Sequence, residues 1–331
     1  MGQRGEAALH NLPFRPYNPL PYFRPMLQLT FLGTSAARPT VERSVSSVAV
    51  SREGETLLFD CGEGTQRQMM RYGVGFALSE IFFTHFHADH YLGVLGLIRT
   101  LALQGRTESM CFYGPKGAKQ ILGAAVELGL ERPTFPIEIE ELTAGERLRR
   151  PGYDLEIIGV EHGRHAVGYA LREHERLGKF DPDKARRLGV PEGPTWGRIH
   201  RGETVELEDG RVVSPDDLVG PARPGRLVVL SGDTRPCSGV VQASHGADLL
   251  VHDATFGEDE RQRAWDTAHS TAVEAAQVAL AARAKRLVLT HLSARYSVSA
   301  QQLLDEARSV FAETVVAKDG LALEVPYWGE G

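Results

Sequence analysis

The sequence predicts an α/β protein whose sheets are covered by helices on their outer faces, and three observations carry that prediction. Strand-like and helix-like segments alternate through most of the 331 residues, with hairpin patterns in each half. Hydrophobic residues make up 42% of the chain and charged residues 24%, which supports a sizeable core and excludes wholesale disorder or a fibrous repeat. Four strand-like segments end by delivering His or Asp into loops, at His85, His162, Asp233 and His291. Strand ends are where α/β proteins gather their ligands.

In chain order, residues 1–25 carry Pro13, Pro16, Pro19, Pro21 and Pro25, which deny them regular structure and predict an extended Pro-rich arm. Residues 26–331 are expected to form the main domain. MLQLTFLG, SSVAVS and TLLFD read as strands, the last two turned at Arg52–Glu55. TQRQMMRYG reads as a short helix, EIFFTH as a strand, GVLGLIRTLALQ as a helix, MCFYG as a strand and GAKQILGAAVELG as a helix. FPIEIEEL, YDLEIIGVEH and HAVGYALRE are β-rich. The stretch from Arg172 to Glu203 breaks the pattern, with Gly and Pro punctuation and little apolar periodicity, and is expected to be an inserted arm. The hairpin TVELEDGRVV closes it. Strands RLVVLSGDT and ADLLVHDAT follow, then helix TAVEAAQVALAARA, strand RLVLTHLS and helix SAQQLLDEARSVF, and VVAKD and LALEVPY complete the sheets.

Several classes fall away. Cys61, Cys111 and Cys237 are scattered and form no CxxC pair, so they predict packing residues rather than a disulfide frame or thiolate site. A formal charge of -6 argues against a general nucleic-acid coat protein, although it permits a local basic patch. No segment approaches 18 uninterrupted apolar residues, and the first 25 lack the apolar middle of a secretory signal. A cytoplasmic protein is the expectation.

The strongest local signal is His85-Phe86-His87-Ala88-Asp89-His90. Three imidazoles and a carboxylate in six residues suit a cation such as zinc, which takes nitrogen and carboxylate donors. Placed between a strand and a helix, the loop can aim His85 and His87 one way, and Asp89 and His90 another. One loop cannot complete two coordination shells, so further donors must come from other strand ends. His162, Asp233 and His291 are the candidates, with His165 a weaker competitor to His162. Asp233 suits a bridge, because its two oxygens can serve two ions. Asp60 closes TLLFD and is expected to orient a ligating imidazole from behind or to be a plain turn residue. His252 is left open between those two roles. Gly62, Gly64, Gly114 and Gly117 read as backbone turns. From Lys184 to Arg201 there are five basic residues against Glu192, with Phe180 and Trp196 nearby, a pattern that suits a phosphate backbone with occasional stacking.

FLGTSAARPT, LLFDCGEGTQRQ, FFTHFHADHYLGVLGL, EHGRHAVGY, KFDPDKARRLGVPEGP, VVLSGDT, HDATF, AHST and LTHLSARY, in this order, resemble the metallo-β-lactamase superfamily and within it ribonuclease Z, the tRNA 3′-processing endonucleases. The His-rich loop is specific only for the superfamily; GVPEGP, FDCGEGTQ and AHST together point to ribonuclease Z. The resemblance implies an αββα sandwich with an inserted tRNA-binding arm, homodimeric, with two Zn²⁺ per chain (or Mn²⁺). It implies that His85, His87, His162 and Asp233 hold one ion, and that Asp89, His90, His291 and the shared Asp233 hold the other. Asp89 would accept a proton from the attacking water and His269 would donate one to the leaving group. The arm would meet precursor tRNA through Lys184, Arg186, Arg187, Gly193, Pro194 and Arg198. The family pattern leads us to expect a basic residue near Arg43, within ARPTVERSVSS.

The residues agree with the assigned acid. Thr271 to Glu274 matches a capping box, which places His269 just before a helix N-terminus, where amides and dipole favour anions. The implied activity is removal of the 3′ trailer from precursor tRNA, leaving a 3′-hydroxyl. Two competing readings are a hydrolase of small phosphodiesters or sulfate esters, for which the arm is superfluous, and a scaffold without metals, which the intact donor set argues against.

Overall fold

The computed structural model describes residues 27–128 and 132–328, so the expected arm over 1–25 lies outside the described residues. Six strands start one sheet: β1 (Leu27–Gly33), β2 (Ser47–Arg52), β3 (Glu55–Phe59), β4 (Glu80–Phe82), β5 (Met110–Gly114) and β6 (Ile137–Glu141). A second sheet begins with β7 (Arg147–Arg150), β8 (Tyr153–Gly159) and β9 (Val167–Glu173). The chain then leaves it for a small hairpin, β10 (Val205–Glu206) and β11 (Val212–Val213). It returns through β12 (Leu227–Leu230), β13 (Leu249–Asp253), β14 (Leu287–Thr290) and β15 (Thr314–Val316), and β16 (Ala322–Glu324) rejoins the first sheet beside β1. The spatial orders are β16-β1-β2-β3-β4-β5-β6 and β15-β14-β13-β12-β9-β8-β7, each sheet part antiparallel and part parallel.

Alternation along the strands explains the layers. Leu29, Phe31, Val50, Phe59 and Phe82 of the first sheet meet Leu155, Tyr169, Val228, Leu249 and Val251 of the second in one buried core. The opposite faces carry Leu32, Leu58 and Ile81, covered by helices Thr65–Tyr72, Val94–Leu103 and Ala118–Glu127. On the second sheet, Leu250, Leu287 and Leu289 are covered by helices Ser238–Ala243, Ala272–Ala281 and Gln301–Arg308. The architecture is the αββα sandwich. Both faces of each sheet are covered, which is why the parallel strands read as near-continuous apolar runs.

Glu173, Arg52 and Arg226 tie the sheets together at one end. Glu173 on β9 accepts from Arg52 Nε of β2 at 2.9 Å and from Arg226 Nε and Nη2 at 2.8 Å, with Tyr327 donating its hydroxyl at 3.0 Å. Burial opposes ionisation of Glu173, yet the Arg226 guanidinium pulls its pKa from the ordinary 4.5 to about 2. A depressed carboxylate contributes stability that is complete above the ordinary value and is lost as pH falls toward the folded value. The shift corresponds to about 3 kcal/mol, and Glu173→Gln, which leaves Arg226 buried without its carboxylate, should cost about 3–5 kcal/mol. Urea unfolding should show that deficit at pH 7, and the gap should close as pH falls from about 4.5 to about 2; a gap independent of pH would contradict the account.

The excursion between β9 and β12 is longer than the stretch predicted from the sequence. Arg172 and Glu173 belong to β9, where Arg172 pairs with Leu227 of β12. Beyond Glu203, the hairpin and the short helix Pro215–Leu218 share a small core with the rest, formed by Ala185, Val190, Ile199, Val205, Val213 and Leu218. Its low periodicity arises because the helices Pro182–Arg187 and Pro194–His200 are too short to show one.

Candidate metal centre

Loops at one end of both sheets converge. Cys61, just after β3, donates its N–H to the His90 carbonyl at 2.7 Å, and a Cβ on Gly62 would stand 2.4 Å from the Asp89 carbonyl. Gly62 is therefore required by close backbone approach rather than by a turn, and it seats the His-rich loop against the FDCGEG segment. Asp89 and His90 lie on a single helical turn, Ala88–Tyr91, which the sequence pattern did not separate from the loop. Among the described residues, six non-glycine residues have positive φ, and four stand here: Ala37, Asp60, Ala268 and His291. Such strain persists where surroundings over-determine it, typically at functional sites.

The donor atoms of His85, His87, His162 and Asp233 lie within 4.8 Å of one another, as do those of Asp89, His90 and His291. Asp233 Oδ2 stands between the groups. It lies 3.6 Å from His85 Nε2 and 3.9 Å from His162 Nε2, and 3.3 and 3.2 Å from the Nε2 atoms of His90 and His291. His87 Nδ1 is 3.0 Å from His85 Nε2 and 3.1 Å from His162 Nε2. Asp89 Oδ2 is 3.3 Å from His291 Nε2. These spacings bring nitrogen and carboxylate donors together without a proton for every pair, so the residues fit a cation site.

The remaining ring nitrogens of His85, His90, His162 and His291 are tied down, as ligating imidazoles require. His90 Nδ1 meets Asp60 Oδ2 at 2.7 Å, His85 Nδ1 meets Thr84 Oγ1 at 3.0 Å, His162 Nδ1 meets the Ala268 carbonyl at 2.8 Å, and His291 Nδ1 meets Thr255 Oγ1 at 2.9 Å. Asp60 itself accepts from the Thr84 N–H at 2.8 Å. Burial, aided by His90, holds His85 well below the ordinary histidine value, and burial lowers His162 as well, so both present lone pairs. Against its burial, Asp233 is held well below the carboxylate range by His291 and His90, and remains ionised.

Asp253 is the residue that sequence reasoning missed. It ends β13 as Asp60 follows β3, and that parallel was the available signal. Its Oδ1 accepts from the Thr255 N–H at 2.9 Å and hydroxyl at 2.7 Å; its Oδ2 accepts from the Thr234 N–H at 3.1 Å and faces His269 Nδ1 at 2.7 Å. With both oxygens engaged, Asp253 is an anchor for His269 rather than a free donor. Burial lowers the His269 pKa, but the Asp253 carboxylate more than offsets this and pushes it up to about 9. The capping box is formed: Thr271 Oγ1 accepts from the Glu274 N–H at 3.1 Å and Glu274 Oε2 from the Thr271 N–H at 2.9 Å. A cleft of about 620 Å³ lies over His87, Asp89 and His269, with Arg38, Arg263 and Arg295 in its walls.

Other candidates land elsewhere. His165 is exposed and outside the donor groups. His252 is buried on the helix-covered side of β13, giving Nδ1 to the Asp253 carbonyl at 2.8 Å, so it backs no ligand. Arg43 is buried, donating to Thr34 Oγ1 and the Ala317 carbonyl at 2.7 Å, and is structural. On the excursion, Lys184 and Arg187 are exposed, while Arg186 is paired with Glu192 at 2.7 Å and Arg198 with Glu203 at 2.7 Å. Gly193, with φ 112, and Pro194 open the helix Pro194–His200. Phe180 and Trp196 pack on each other at 5.3 Å, and Trp196 gives its indole N–H to the Val190 carbonyl, which corrects the expectation that they stand ready to stack on RNA. From 174 to 226 there are ten basic and ten acidic residues, so the basic character belongs to the Lys184–Arg201 run alone.

Two helix-covered sheets with histidines and aspartates gathered at their strand ends define the class, the β-lactamase superfamily. Residues 218–292 match its domain family, described as Beta-lactamase superfamily domain, and residues 27–171 match the family Anti-Pycsar protein Apyc1. The chain is 56% identical over 301 residues to ribonuclease Z of Gemmatimonas aurantiaca, covering 90% of this chain and 96% of that protein. It is 55% identical over 302 residues to ribonuclease Z of Myxococcus xanthus, covering 91% and 98%. Human tRNase Z, short form, superposes with a TM-score of 0.65 at 27% identity, covering 90% of this chain and 99% of that one. The chain belongs to the ribonuclease Z family.

Proposed function

We propose that the protein is a zinc-dependent endoribonuclease that removes the 3′ trailer from precursor tRNA and leaves a 3′-hydroxyl on the tRNA. The carrying observation is Asp233 Oδ2, within 3.9 Å of donors from both groups, beside a His269 anchored by Asp253. His85, His87, His162 and Asp233 would hold one Zn²⁺, and Asp89, His90, His291 and Asp233 the other. Two such ions supply Lewis acidity, which makes water acidic enough to attack near neutral pH and offsets phosphate charge. Asp89 takes the proton of the attacking water. The bond from phosphorus to the tRNA O3′ breaks, and His269 gives its proton to that oxygen, a poor leaving group until protonated. Asp60, Thr84, Thr255 and the Ala268 carbonyl hold the imidazoles in register. No helix among the described residues is long and apolar enough to cross a membrane; a cytoplasmic homodimer is the setting that the family reading supports.

The deciding experiment incubates purified protein with end-labelled precursor tRNA and maps the cut and its end groups. The expected products are a tRNA with a 3′-hydroxyl and a trailer with a 5′-phosphate, absent in chelator. Cleavage that persists in chelator, with no metal in elemental analysis, would sink this mechanism.

The arm separates the RNA reading from a small-ester hydrolase. Lys184, Arg186, Arg187 and Arg198, with the Gly193-Pro194 turn, are its proposed tRNA contacts. Replacing residues 176–223 by a short Gly/Ser link should raise KM for precursor tRNA at least about tenfold while hydrolysis of a small phosphodiester changes little. Neutralising Lys184 and Arg187, exposed and outside any ion pair among the described residues, should give a milder loss that low salt restores. Equal losses on both substrates would mean that the excursion supports the site instead.

A further inference from the structure

Trp265 is 56% exposed, although it sits three residues before Ala268, whose carbonyl orients His162. It is not loose. Arg235, two residues after Asp233, lays its guanidinium against the indole with 4.3 Å from Cζ to the ring and gives Nε to the Trp265 carbonyl at 2.8 Å. The Arg235 N–H in turn bonds the Glu161 carbonyl at 3.2 Å, the residue before His162. The indole is thus clamped to the loops that carry two site residues, one face occupied by a cation and much of the ring in solvent. A helix turns about 100° per residue, so on helix Arg261–Asp266 the side chains of Arg263 and Trp265 point to nearly opposite sides. Arg263 enters the cleft over Asp89 and His269, while Trp265 turns to the other side of the helix, where Arg235 ties it to the loop of Glu161 and His162. The indole therefore lies outside the cleft, beside the loops of Asp233 and His162, where a strand running out of the cleft over those loops meets its open face. Rigid exposed aromatics backed by arginine are what unpaired bases stack on.

We infer that the open face of Trp265 is a stacking platform for an unpaired nucleobase adjoining the scissile phosphate of the RNA substrate, an inference that rests on the function proposed above. Trp328, 45% exposed beside Lys285 and Arg286 before β14, lies at the other end of that sheet and serves as the control. The test places 2-aminopurine in turn at the last nucleotide of the tRNA and at the first and second of the trailer, and follows its fluorescence in stopped flow before cleavage. Quenching at one of these positions is expected with the parent protein, Trp265→Phe and Trp328→Ala, and its loss with Trp265→Ala. Trp265→Ala should raise KM for the precursor about 5- to 100-fold, with small-phosphodiester turnover unchanged. Absence of quenching in the parent, or quenching that survives Trp265→Ala, overturns the platform even if the precursor is cut correctly. Failure of the parent to cut precursor tRNA would refute the proposed function, whereas the fluorescence, which needs only binding, would still decide the platform.

Discussion

Asp233→Ala is expected to strip both metal positions and to lower precursor cleavage by at least about a thousandfold. The reason is geometric: Oδ2 of this one carboxylate lies 3.2 to 3.9 Å from the Nε2 atoms of His291, His90, His85 and His162. Without it, His85, His87 and His162 have no charge to balance a cation, and Asp89 is the one carboxylate left beside His90 and His291. His87→Ala provides the contrast, because His87 belongs to one group only; it should lose about one metal equivalent and keep the other. Elemental analysis per chain reads the result directly. Two equivalents retained by Asp233→Ala would show that the aspartate does not bridge.

His269→Ala should retain both metals and yet lose roughly 10²- to 10⁴-fold in turnover on precursor tRNA, the usual worth of a general acid. The loss should shrink on an ester whose leaving group is nitrophenolate, which needs little protonation. Asp253→Asn tests the same step from behind. The Asp253 carboxylate is what lifts His269 against its burial, to about 9. An acid must be protonated to act, so activity falls as pH rises through its pKa, and removing the carboxylate should move that alkaline limb to lower pH. Metal loss from His269→Ala, or equal losses on both substrates, would reassign His269 as a ligand.

Much of the site was legible because its chemistry is compressed locally. Six consecutive residues supply His85, His87, Asp89 and His90, and the other donors each follow a recognisable apolar strand. Asp253 escaped notice because its role depends on facing His269 at 2.7 Å, sixteen residues away beyond the helix Arg261–Asp266. The excursion was misjudged in extent for a related reason. Its small core joins Ala185 to Leu218 through helices and strands too short to leave a period, and its aromatics are spent on that core rather than on solvent.

Local pattern alone determined the alternation of strands and helices, the apolar runs of the doubly covered parallel strands, the capping box at Thr271 and the identity of the donor atoms. These follow from periodicity and side-chain chemistry, which act over a few residues. Tertiary structure decided what sequence neighbours cannot report. Among the described residues, pairing of Gln28 with Glu324 puts the last strand beside the first, and Glu173 joins Arg52 to Arg226 across the two sheets. The Ala37 N–H reaches Asp89 at 2.7 Å, and the helix Arg261–Asp266 turns Arg263 toward the cleft and Trp265 to its opposite side. Each of these depends on which strands lie side by side, and that order is set by burial of both sheet faces together rather than by any one segment.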